Sequence, residues 1–133
     1  MFGKKKHPPI KSLIAPGTVV TGTVSFSEGL RIDGEIHGDV RATEGHASML
    51  VVSETGVVKG EIRADLIVIN GVVHGPVFAA DLLELQPKGK VEGDVSYKSL
   101  EMHQGAMISG RLQPLLPEPG AEIVPLKLAA NNG

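Results

Sequence analysis

Cysteine and tryptophan are absent from the 133 residues, and Phe2, Phe26, Phe78 and Tyr97 are the only aromatic side chains. Without cysteine there is no disulfide framework and no thiolate metal site. With so few rings the interior must be built from Val, Ile, Leu and Met, which argues against a conventional sandwich or α/β core. No apolar run reaches the roughly 18 residues of a transmembrane helix. The lysine-rich start has no apolar segment ending in a small-residue cleavage site, so a secretory leader is not expected. Acidic residues are missing from residues 1–27, which hold Lys4, Lys5, Lys6 and Lys11, so the acidic excess lies in the remainder of a chain with net charge −2. An acidic body with a short basic head is not expected to bind nucleic acid. No phosphate-cradling loop of the form GxxxxGK[ST] occurs, so no nucleotide is expected either.

What the chain does have is glycine, 17 residues of it, too many for a helical protein when each interior glycine costs roughly 1 kcal/mol. The glycines are periodic. The phrase apolar-x-Gly-x-apolar recurs around Gly22, Gly38, Gly60, Gly75, Gly93 and Gly110, at spacings of 16, 22, 15, 18 and 17 residues. Periods of this size mark a repeat architecture. Further period-2 apolar pairs flank each phrase, such as Leu30-Arg-Ile32 and Leu83-Glu-Leu85. Each repeat therefore offers about three short β segments with alternate side chains inward. The six central glycines are expected at corners, where a Cβ would obstruct the bend. Turns stacked about 4.8 Å apart would give a rod on the order of 30 Å long. One such turn cannot hide its apolar face, whereas a stack of six can. The long 22-residue interval predicts an excursion over 41–48. Val57-Val58, Val72-Val73 and Leu66–Ile69 blur the alternation, so some apolar side chains are expected outside.

Three segments follow: a proline-containing arm at 1–16, the repeat at 17–112, and a Pro-rich tail at 113–133, with both flanks expected to be disordered. The terminal turns keep apolar residues, Val20, Val24, Leu30 and Ile32 at one end and Met102, Ile108 and Leu112 at the other. No capping helix is in sight, and open solenoid ends invite pairing. A polymerisation interface is expected there. In the arm, Met1 and Phe2 beside Lys4, Lys5 and Lys6 form a candidate membrane anchor. Each lysine near an anionic leaflet is worth about 1 kcal/mol, and burial of Met1 and Phe2 adds on the order of 2–4 kcal/mol.

The runs Ser12-Leu-Ile-Ala-Pro-Gly-Thr18, Gly29-Leu-Arg-Ile-Asp-Gly34-Glu-Ile-His-Gly38, Val68-Ile-Asn-Gly71-Val-Val-His-Gly75-Pro-Val77 and Leu83-Glu-Leu-Gln-Pro-Lys-Gly89-Lys-Val-Glu-Gly93-Asp-Val95 resemble the bactofilins over roughly residues 12–112. The resemblance implies a single-domain, right-handed parallel β-helix of about six rungs with disordered tails. It also implies nucleotide-independent, non-polar filaments on the cytoplasmic face of the bacterial inner membrane, scaffolding cell-shape and peptidoglycan-remodelling envelope proteins. The Met1-Phe2 and lysine start looks like the membrane-targeting arm of that family. The family supplies no catalytic residue to carry over.

The residues themselves suggest no enzyme. His37 and His74 share a repeat position but stand two turns, or roughly 10 Å, apart, too far to hold one metal. Asp33, Glu35 and Asp39 fall at outward positions, and a convex surface offers no cleft to tune them for acid–base work. No metal or cofactor is expected. Two alternatives stay open: a hexapeptide-repeat enzyme of the acyltransferase or carbonic anhydrase type, which normally needs stricter six-residue substructure, and a solenoid adaptor that never polymerises.

Overall fold

The computed structural model describes residues 8–115, and every regular element in that range is a β-strand. The strands are β1 (Ile10–Ile14), β2 (Val19–Thr21), β3 (Val24–Phe26), β4 (Gly29–Ile32), β5 (Glu35–His37), β6 (Val40–Ala42), β7 (Met49–Val52), β8 (Val57–Lys59) and β9 (Ile62–Ile69). They continue as β10 (Val72–His74), β11 (Val77–Leu85), β12 (Lys90–Glu92), β13 (Val95–Met102), β14 (Met107–Ser109) and β15 (Leu112–Pro114). All pairings are parallel and join one turn to the next. The fold is therefore a parallel β-solenoid of about six turns.

One row stacks β2, β5, β8, β10, β12 and β14 into a six-stranded sheet. The other nine strands form a second sheet with two rows. β3 pairs with β6, and β6 with the start of β9, while β1, β4 and β7 lead into its end. From β9 onward one long strand serves both rows, bent where the register of β11 shifts between Ala79 and Leu82. Rungs one to six begin at β2, β5, β8, β10, β12 and β14.

Register turns the alternation of the sequence into columns. Val20, Ile36, Val58, Val73, Val91 and Ile108 stack in one inward file. Ile14, Ile32, Val52, Ile69, Leu85 and Met102 stack in another. Away from the ends these side chains are fully buried, each worth about 1.5–3 kcal/mol over exposure. β-branched residues suit this half-buried, pleated setting. Leu66 and Val68, in the outward phase, are also buried, between Met49 and Leu82 and between Val51 and Glu84 in the ladder.

Gly60 shows why the corner residue has no side chain. A Cβ there would collide with the Gly38 carbonyl oxygen of the preceding rung, while the Gly60 N–H donates forward to the His74 carbonyl at 2.9 Å. Gly22 stands in the first rung, and among the described residues a Cβ there would meet open space.

Two boundaries differ from the sequence reading. Residues 10–14, placed in the arm, form β1 and pair with β4. The cause is Ile14, which stacks inward on Ile32, and the prolines at 9 and 16 bracket the strand without interrupting it. At the other end β15 carries the ladder through Gln113 and Pro114, two residues past the expected limit. The excursion is shorter than expected, since Arg41 and Ala42 belong to β6, leaving residues 43–48 as the loop. Ser48 closes it: its N–H donates to Asp65 Oδ2 at 3.1 Å, and the Asp65 N–H donates to Ser48 Oγ at 2.9 Å.

Candidate functional site: the two ends of the rod

Among the described residues, the large apolar side chains that are well exposed all lie on terminal strands. Ile10 and Leu13 are on β1 and Val19 is on β2; Met102, Met107 and Leu112 are on β13, β14 and β15. Along the sides, the outer surface is polar and paired. Arg31 meets Asp33 at 2.8 Å, Arg41 meets Asp39 at 3.2 Å, and Arg63 meets Glu61, each pair two residues apart in the chain with the acid just beyond the arginine's strand. The rod thus has solvated flanks and apolar tips.

The N-terminal tip is made by β1, β2 and β3. Val20 and Val24 are half-buried there, at the open ends of their columns. Leu30 and Ile32 are not part of this surface. They are 1% and 0% exposed, because β1 lies over them as a partial preceding turn. Ile14 takes the place of Ile32 at the tip, while Leu13 and Val19, in register with the outward Arg31 and Glu35, stand exposed at its rim with Ile10 nearby. The C-terminal tip presents Met102 and Leu112, each 45% exposed, with half-buried Leu100 and Ile108 between them. Met107 stands outward at its rim. Met1, Phe2, Lys4, Lys5 and Lys6 lie outside the described residues.

The contributions of β1 and of Met107 were missed in the sequence. The segment Ile10-Lys-Ser-Leu-Ile14 has no glycine phrase and sits among prolines, so its tie to the ladder shows only once Ile14 is placed on Ile32. Its signal was weak but present, an apolar group of three within five residues.

The polar groups behave as surface anchors for the rungs. Asp39, following the corner Gly38, accepts the Glu61 N–H at 3.0 Å, and Asp94 likewise accepts the Arg111 N–H at 3.0 Å. The Glu61 N–H and the Arg41 guanidinium hold the Asp39 carboxyl below its ordinary range. Glu35 is lowered by His37, 2.6 Å away, with Lys59 adding to it. Asp33 is lowered by the Ser53 hydroxyl and by Arg31. His37 and His74 each pair with a glutamate, Glu35 and Glu92, and do not converge. Ligand atoms of His103, Glu84 and Glu101 come within 4.8 Å of one another on the outer face, where His103 Nε2 hydrogen-bonds Glu84 Oε2 at 3.2 Å. The groove under the excursion is lined by Thr43, His46, Arg63 and Phe78 among others. In it the Arg63 guanidinium lies 4.7 Å from the Phe78 ring centre. None of the described residues forms a helix long and apolar enough to cross a membrane.

A parallel rod with this rung length and these tips matches the family model for bactofilins, described as polymer-forming cytoskeletal, over residues 12–113. The chain belongs to the bactofilin family. Bactofilin BacO of Myxococcus xanthus is 30% identical over 111 residues, covering 84% of this chain and 85% of the relative. Bactofilin BacP of the same organism is 27% identical over 109 residues, covering 82% of this chain. The chain spans only 44% of BacP's length. Among solved structures, the bactofilin fold of this chain is shared with a Thermus thermophilus bactofilin seen by cryo-EM in double helical filaments. That match has a TM-score of 0.64 and 24% identity, covering 75% of this chain and 97% of the other.

Proposed function

We propose that this bactofilin is a structural protein whose copies stack end to end through their terminal rungs into filaments, without nucleotide and without a fixed polarity. The observation that carries this reading is the confinement, among the described residues, of well-exposed, large apolar side chains to the strands of the two tips. Unpaired strand edges surround an apolar cross-section there, and such an edge is a template for another chain. The family's polymer-forming character supports it, as does the filament of the Thermus relative.

The test is negative-stain microscopy of the purified protein with Val20→Lys and Ile108→Lys variants. Each variant puts a charge into the end of an inward column. Filaments are expected from the parent and only short species from the variants; long filaments from both variants would remove the tips as the contact. Treatment with a nucleotide-hydrolysing enzyme is expected to leave assembly unchanged.

The same proposal places the filaments peripherally on the cytoplasmic face of the inner membrane, as a scaffold for peptidoglycan-remodelling and other envelope proteins. Its support is the sequence Met1-Phe2 with Lys4, Lys5 and Lys6. Such an anchor is weak alone and gains from many copies along one filament. Deleting residues 2–6 is expected to abolish co-sedimentation with vesicles containing anionic lipid. Undiminished pelleting of the truncated chain would sink the membrane assignment.

A further inference from the structure

Three histidine–glutamate pairs stand on the outer wall, and each has a different third neighbour. His37 Nε2 meets Glu35 Oε2 at 2.6 Å, and the Lys59 ammonium lies 3.7 Å from the same oxygen. His74 Nδ1 meets Glu92 Oε1 at 2.8 Å, and His74 faces Lys59 across the ladder on its other side. A metal ion approaching either pair would be repelled by an ammonium already in place. His103 Nε2 meets Glu84 Oε2 at 3.2 Å, and there the third neighbour is a carboxylate. Glu101 stands opposite Glu84 in the ladder between β11 and β13, and one ligand atom from each of the three residues lies within 4.8 Å of the others.

Strand phase brings these groups together. Glu84 and Glu101 occupy the same outward position on successive rungs, about 4.8 Å apart, and His103 follows Glu101 by two residues on the same face. The His103 N–H donates to the Leu85 carbonyl at 2.9 Å, which holds it against the fourth rung. Like charges directly opposite on neighbouring strands destabilise the pair. Among the described residues no lysine or arginine is paired with Glu84 or Glu101, and the next partner down the file from Glu84 is the apolar Val68. Elsewhere on the wall acids have basic partners, as Asp33 has Arg31, Asp39 has Arg41 and Glu54 has Lys88. The opposed carboxylates are thus a local cost that a doubly charged cation would remove.

We propose that Glu84, Glu101 and His103 bind a divalent first-row metal ion such as zinc on the wall of the rod. Bonds of about 2.0–2.2 Å in a tetrahedron place neighbouring ligand atoms about 3.4 Å apart. The 3.2 Å between His103 Nε2 and Glu84 Oε2 is close to that separation, and the exposed Glu101 side chain has only to turn to close the third side. With the imidazole proton on Nδ1, Nε2 offers its lone pair, and the metal ion takes the place of the proton between His103 and Glu84. Gln86 Nε2 donates to the same Glu84 oxygen at 3.4 Å, which orients the carboxylate as ligands at metal sites are oriented. The imidazole disfavours calcium and magnesium, which take oxygen ligands, and the lack of thiolate disfavours copper(I). Three protein ligands leave a position for water. The ion joins the fourth rung, through Glu84, to the fifth, through Glu101 and His103. Met102, between those two ligands, belongs to the C-terminal tip, so the ion braces the strand end that carries it. The site is independent of how the tips meet.

The test is calorimetric titration of the full chain, stripped of metal by a chelator, with zinc chloride as the probe. The parent is expected to take up one ion per chain at this site. His103→Ala is expected to remove that ion. Glu101→Gln is expected to weaken its binding at least about tenfold, the scale on which even an outer partner of a metal ligand matters. His74→Ala leaves the three ligands in place and is expected to bind as the parent does. Zinc is further expected to raise the melting temperature of the parent, since it binds the folded chain, and to leave that of His103→Ala unmoved. Equal melting temperatures without metal would show that the variant is folded. A parent that binds no zinc saturably, a His103→Ala chain that keeps the ion, or a Glu101→Gln chain with parental affinity would each overturn the site.

Discussion

At the scale of single residues, close packing along the glycine file explains more than conformational freedom does. The Gly60 Cβ position is filled by the Gly38 carbonyl, whereas the Gly22 position is open but has a φ of +119°. Gly60→Ala is therefore expected to cost more than about 3 kcal/mol, with two strands forced apart. Gly22→Ala is expected to cost only the backbone strain of about 1–3 kcal/mol. Chemical denaturation of the two variants checks the contrast. The acids set the pH response. Asp33, Glu35 and Asp39 titrate lower in the folded chain than in the unfolded one. Their contribution is complete above about pH 5, clear of the unfolded values, and is lost as pH falls through the lowered folded values. Asp39→Asn is expected to flatten the loss of stability on acidification below about pH 4 without shifting the neutral plateau's dependence on pH. The inward files were legible in the sequence because each apolar residue carries its phase with it. The aspartates were not, because the bond from Asp39 to Glu61 joins residues 22 apart and depends on where the corner sends an N–H.

Among the elements, β1 differs most from expectation. A segment bracketed by prolines reads as an arm, yet it converts Leu30 and Ile32 from tip residues into core. Deleting residues 8–14 is expected to expose both side chains and lower the melting temperature. Retention of the parental melting temperature would show that β1 adds nothing to the fold. The middle of the rod has no such ambiguity. Leu83 is fully buried between Ile67 and Leu100 in the ladder, so Leu83→Ala is expected to destabilise by about 2–5 kcal/mol, measurable by denaturant titration. Strand type and rung count could be read in advance because glycine spacing and period-2 alternation agree through the middle turns. The limits of the rod could not, since the end strands lack the glycine phrase and are recognised only by the neighbour they cover.

For the whole molecule, function depends on a contrast between flank and tip, a property of the stack that no single repeat carries. The 22-residue interval, an anomaly in the period, leaves the ladder intact: β6 and β7 both continue into β9 across it. Residues 43–48 leave the wall within the second rung, between β6 and β7, and return to it through Ser48 and Asp65. The cost of lengthening such a loop grows only slowly with its length. The long interval thus leaves a side branch on the shaft, between the two tips. A foreign domain spliced between Glu44 and Gly45 would hang from that branch, so an assembled filament could carry cargo at a fixed interval set by the length of one subunit.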